Sequence, residues 1–150
     1  MKIQFRKSMS KYVAFVGFAI CLVASMGAKS DQIAQGTVQV TITASTSEVV
    51  TTANCSVDIG TYVSVATGTI FTYGTRRSVA ATIQGGTVTC VVTVPYYWTV
   101  PSLDGSTISI GFGVDAQNTN TSLNKSTSGN FASIPLSTTG TTTRSVVTVF

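Results

Sequence analysis

The chain has no histidine, only five carboxylates and only three prolines in 150 residues, and charged side chains make up 9% of it. Without histidine the commonest general base and the commonest metal ligand are both missing. Asp58, Asp104 and Asp115 are widely spaced, so no ligand cluster for a cation is legible. A serine nucleophile likewise has no base to activate it. No catalytic residue, metal site or cofactor is expected, and enzyme chemistry gives way to assembly or binding.

The net charge of +4 belongs to one end of the chain. Lys2, Arg6, Lys7, Lys11 and Lys29 lie in the first 30 residues. Beyond them Arg76, Arg77, Lys125 and Arg144 face Asp31, Glu48, Asp58, Asp104 and Asp115, four cations against five carboxylates, a balance of −1. Nucleic acid is therefore not an expected partner. Two basic residues at Arg76 and Arg77, after Gly74, read as a solvated turn.

Residues 1–30 read as a secretory signal peptide: a basic start to Lys11, an apolar run from Val13 to Val23, then Ala24, Ser25, Gly27, Ala28 and Ser30. Cleavage after Ala28 or Ser30 starts the mature chain at residue 29 to 31. A membrane-spanning helix needs about 20 apolar residues, and this run is shorter, so no stable anchor is expected after cleavage. Lipidation at Cys21 is disfavoured by Ile20 before it. Cys55 and Cys90 then remain as an even pair bound for an oxidising compartment. One disulfide is expected, with two free buried thiols as the alternative.

From Asp31 onward Thr, Val, Ser and Ile alternate with period two, and no helical period appears. Val38, Val40, Ile42 and Ala44 share one face of a first strand. Ala53, Cys55, Val57 and Ile59 share a face of a second, over 49–59. Over 87–100, Cys90, Val92, Val94, Tyr96, Trp98 and Val100 point one way, which assigns Tyr96 and Trp98 to the core and leaves Tyr97 as a surface aromatic. Pro95 places this segment at a sheet edge or breaks it in two. Further strands are expected at 61–65, 69–73, 78–84, 106–114, 131–136 and 141–150, with turns at Gly85-Gly86 and Asp104-Gly105. Residues 115–130, rich in Asn, Thr and Ser, read as a surface loop. The last strand is apolar on both faces, Val146 and Phe150 on one and Val147 and Val149 on the other, so it is expected to be central or covered. Together these indicate an all-β antiparallel immunoglobulin-like β-sandwich, an up-and-down barrel being the alternative.

Four segments, Gly36-Thr-Val-Gln-Val-Thr-Ile42, Ala53-Asn-Cys-Ser-Val57, Thr87-Val-Thr-Cys90 and Arg144-Ser-Val-Val-Thr-Val-Phe150, carry a resemblance. In order and spacing the mature chain resembles a chaperone–usher fimbrial major subunit, with likeness to archaic pili and spore coat U-type domains. The resemblance implies a pilin sandwich that lacks its final strand and is completed by a strand donated from the next subunit. It divides the chain into a leader (1–30), a donor segment and linker (31–47) and a body (48–150). Gly36, Val38, Val40, Ile42 and Ala44 would be the donor residues, and Val146, Thr148 and Phe150 would border the acceptor groove. A homopolymer, a periplasmic chaperone, an outer-membrane usher, a host or surface receptor and an extracellular location follow from the same likeness. Phe150 departs from many members, which place the aromatic next to last. Two other readings stay open: residues 36–44 as the first strand of a complete sandwich, and a free-standing secreted adhesin or surface-binding module.

Overall fold

Period-two alternation becomes pleated strand along nearly the whole described chain. The computed structural model describes residues 31–137 and 139–150; the expected leader, with Cys21, lies outside the described residues. Eight strands follow one another: β1 (Gln32–Ser45), β2 (Thr52–Ser64), β3 (Ile70–Ala80), β4 (Thr82–Gln84), β5 (Thr87–Val100), β6 (Thr107–Asn118), β7 (Leu123–Pro135) and β8 (Thr141–Val149). No helix occurs among the described residues. Two four-stranded sheets result, ordered β4-β5-β1-β8 (sheet A) and β3-β2-β6-β7 (sheet B). This is the immunoglobulin-like sandwich, and two open sheets with free edges dispose of the barrel.

Each inner face is built by alternation. Val38, Val40, Ile42, Val88, Val92 and Val94 of sheet A meet Val57, Val63, Ile108, Ile110 and Val114 of sheet B in one core. Cys55 of β2 and Cys90 of β5 are both inward and form a disulfide between the sheets, their Cα atoms 6.3 Å apart. The bond fits an oxidising compartment. Buried Thr61 donates to the Thr107 carbonyl at 2.7 Å, so its hydroxyl is satisfied within the core. Gly85 and Gly86, both with positive φ, close the β4–β5 hairpin as a two-residue turn.

Several expectations change. Strands 49–59 and 61–65 are one strand, β2, because Gly60 continues the ladder opposite Gly74 and Ser109. Arg76 and Arg77 lie within β3 rather than in a turn. Residues 115–130 are not a loop. β6 extends to Asn118, a turn follows, and β7 returns with Asn118 opposite Leu123. Asn118 makes that turn by donating to the Val49 carbonyl and accepting from the Asn120 amide, each at 2.9 Å. The strand was hidden because its alternation is between half-buried Lys125 and Thr127 and exposed Ser126 and Ser128, all polar.

β8 is neither central nor covered. It forms the edge of sheet A and leaves Val147 80% and Val149 70% exposed. Arg144 lies half-buried in the inward-facing row of β8, and an inward-pointing charge on an edge strand discourages pairing with a further strand. Pro95 sits where β5 has β1 on one side and no partner on the other, since β4 reaches only Thr87 to Thr89.

Candidate functional site

The expected donor residues Gly36 to Ala44 lie in β1, and β1 occupies a position between β5 and β8 of its own chain. β1 runs antiparallel to β5 from Gln32↔Val100 to Ser45↔Thr87. On its other side it runs parallel to β8 from Thr37↔Thr141 to Ser45↔Val149, the one parallel pairing among the described strands. Bonds just beyond the ladder extend both seams: Thr37 donates to the Gly140 carbonyl at 2.8 Å, Thr46 to Gly86 at 2.8 Å and Phe150 to Ser45 at 3.1 Å.

The segment 31–47, expected to stand apart from a body of 48–150, is thus part of a single compact unit from Asp31 to Phe150. The physical reason lies in its inward face. Val38, Val40, Ile42 and Ala44 are all fully buried. The three larger side chains together stabilise the sandwich by about 5 to 9 kcal/mol, and a chain folding alone finds that burial nearest at hand in its own slot.

Side-chain sizes across the β1–β5 seam are matched. Ala34 lies opposite Trp98 and Gly36 opposite Tyr96, while Val38, Val40 and Ile42 face Val94, Val92 and Cys90. Tyr96 and Trp98 are buried, with ring centroids 5.0 Å apart, and Tyr73 of β3 adds a third ring 5.9 Å from Trp98. Tyr97 is exposed, as its alternation predicts. A Cβ on Gly36 would come within 2.7 Å of the Tyr96 hydroxyl oxygen and 3.1 Å of the Gly140 carbonyl oxygen. Gly36→Val is therefore expected to destabilise the folded chain by about 1 to 3 kcal/mol through overpacking. A shift of the urea midpoint shows it, and pairing the change with Tyr96→Ala should recover part of the loss.

Burial raises the Tyr96 phenol above its ordinary 10.0, because the anion is kept from water. A folded-state value above the unfolded one makes the neutral phenol's contribution complete below about pH 10, and it is lost as pH rises through the raised value. Urea midpoints should thus fall above pH 10 in the native chain, and fall less steeply in Tyr96→Phe; equal slopes would refute this.

On the β8 side, Val146, Thr148 and Phe150 lie along the seam with β1. Val146 lies beside Ile42 and Thr148 beside Ala44, both half-buried and facing inward, and Phe150 packs against the core. The Thr148 hydroxyl lies 3.3 Å from that of Thr127 on β7, a link to the opposite sheet. Lys125 and Glu48 meet as an ion pair of 2.7 Å between β7 and the β1–β2 connection. Both are partly exposed, so the pair adds less than about 1 kcal/mol.

The outer face of sheet B carries residues that alternation alone did not mark. Gly60, Gly74 and Gly111 lie there side by side with Tyr62, Asp58 and Arg76. The signal for them, three glycines in three strands, becomes visible only once the register is known. Asp58, Asp104 and Asp115 form no metal-binding group, and none occurs among the described residues. In comparisons with family models, with curated proteins and with solved structures, nothing matches this chain.

Proposed function

We propose that this chain is a structural subunit of an extracellular pilus or fimbria, in which β1 of one copy fills the slot between β5 and β8 of the next and the fibre serves adhesion or biofilm formation. The observation that carries the reading is the place of β1. It is first in sequence among the described strands yet interior to its sheet, and its only onward connection is residues 46–51. Removal of a leader at residue 29 to 31 leaves it joined at one end, so it can leave one slot and enter another without unthreading.

Exchange conserves every ladder bond and buried side chain, so cis and trans closure are nearly equal in contact energy. Head-to-tail repetition is heterologous and does not close on itself. In an isolated chain the tethered strand wins, because its effective concentration exceeds that of any neighbour. Fibre growth then requires a periplasmic chaperone to keep the slot occupied by another strand, and an outer-membrane usher to bring copies together. The exposed Val147 and Val149 beside the slot fit a surface covered during assembly.

Thr43 and Val147 are register partners on the outer face of sheet A. Chains carrying only Thr43→Cys, secreted together with chains carrying only Val147→Cys, should cross-link to each other in assembled material. Cross-linking solely when both cysteines sit on one chain would overturn the reading. That result would leave the second one, a self-contained secreted adhesin or surface-binding module, which the cis position of β1 favours.

A further inference from the structure

We propose that the trough on the outer face of sheet B binds a neutral saccharide chain, with Tyr62 standing between two sugar subsites. The site lies on the sheet to which β1 does not belong, so it is present in a monomer and does not depend on strand exchange.

The floor is glycine. Gly60 pairs with Gly74 across β2 and β3, and Asp58, two residues before Gly60, pairs with Gly111 of β6. Glycine inside a strand gives up packing and chain entropy, and where the backbone does not need it, it marks a close approach by something else. None of these three has positive φ. A Cβ at Gly60 would crowd the Tyr73 carbonyl at 3.2 Å, and one at Gly111 would meet Asn130 Oδ1 at 2.8 Å. At Gly74 the nearest atom would be the Ile59 carbonyl at 3.6 Å, an ordinary contact. Nothing in the chain's own packing asks for glycine at position 74, whereas a ligand lying along the floor does.

The walls mix apolar surface with hydroxyl, amide and charged side chains, and Tyr62 is the exposed aromatic ring among them, the ring of Tyr73 packing inward on Trp98. Tyr62 is 71% exposed and borders two hollows, one of about 550 Å³ over the glycines and one of about 390 Å³ against Asp104 and Gly105. Both volumes fall in the range of small-molecule sites, about 300 to 1,000 Å³. Hydroxyls of Thr72, Ser109 and Thr107 line the hollows. At the far end Arg76 Nε lies 3.5 Å from Asp58 Oδ1, and its Nη2 donates to Ser56 at 3.1 Å. A bulge in β7, where Ile110 pairs with Ala132 but Gly111 with Asn130, turns Phe131 inward onto Phe112 and brings Asn130 to the floor.

This chemistry selects the ligand class. Asp58 and Arg76 neutralise each other on the glycine floor and Asp104 borders the second hollow, so the trough offers no surplus of positive charge, which disfavours a polyanion. An extended peptide would seek a free sheet edge for its backbone, and this is a face. Hydroxyls, an amide and a paired carboxylate and guanidinium offer donors and acceptors together, as a polyol requires. The exposed Tyr62 ring supplies the flat apolar surface on which the C–H face of a pyranose stacks.

The test is saturation-transfer and amide-shift NMR on the secreted chain with cellotriose, maltotriose, mannotriose and triacetylchitotriose, beside sialyllactose and a tetraproline peptide. At least one neutral trisaccharide should receive saturation and shift the amides of Gly60, Tyr62, Gly74 and Gly111. Tyr62→Ala and Gly74→Thr should each weaken that binding by about tenfold or more, the loss expected for a central aromatic anchor or a filled subsite. Both positions face solvent, and threonine suits a strand better than glycine, so melting of Gly74→Thr should be unchanged or raised. Absence of any neutral trisaccharide at these amides, undiminished binding in both variants, or binding there only by sialyllactose or the peptide would overturn the proposal.

Discussion

Ile42→Ala should lower the stability of the isolated chain by about 2 to 5 kcal/mol. Ile42 is fully buried, between Cys90 of β5 and Val146 of β8. Truncation leaves a cavity in the middle of sheet A, beside the disulfide, where the covalent link limits collapse of the surroundings. The neighbouring change Thr41→Ala, on the opposite face of the strand, should stay within about 0.5 kcal/mol. Urea unfolding with an unchanged slope measures both. A loss below about 1 kcal/mol for Ile42→Ala would mean that β1 is not packed in its slot in solution. The same truncation is expected to weaken an assembled fibre, because exchange carries the identical side chain into an identical pocket.

Removing the Cys55–Cys90 bond should have an effect of similar size. The two cysteines are 35 positions apart, and the chain-entropy model assigns about 3 to 4 kcal/mol to closing a loop of that length. The bond also ties β2 of sheet B to β5 of sheet A at the level of Ile42, so its loss loosens the two layers where the slot lies. Thermal melting with and without reductant, and of the double variant Cys55→Ala with Cys90→Ala, should show matching decreases. Melting curves insensitive to both treatments would sink this expectation. Because β1 depends on that layer spacing, Ile42→Ala combined with the reduced state should deviate from additivity.

Much of sheet A was legible because its strands alternate sharply between apolar and polar side chains. Val38, Val40 and Ile42 on one strand, and Cys90, Val92, Val94, Tyr96 and Trp98 on another, declare their inner face whatever their neighbours are. β7 was not legible, because Asn, Ser, Thr and Lys alternate in burial without alternating in polarity. It forms a strand through pairing with β6, a context its own residues do not report. β8 misled in the opposite direction: two apolar faces suggest cover, yet Val147 and Val149 face solvent at a sheet edge.

By itself, then, the order of residues determined the strand class and the inward faces of β1, β2 and β5, and left an even cysteine pair for which one disulfide was the expectation, since each follows from period two or from a count. Tertiary structure alone decided that β1 lies between β5 and β8, that β8 is an edge, and that glycines from three strands share one floor. A period of two is the same for every partner and either strand direction. Which strands become neighbours is set by contacts between residues far apart in the chain, and those contacts exist only when both sheets have closed on a common core.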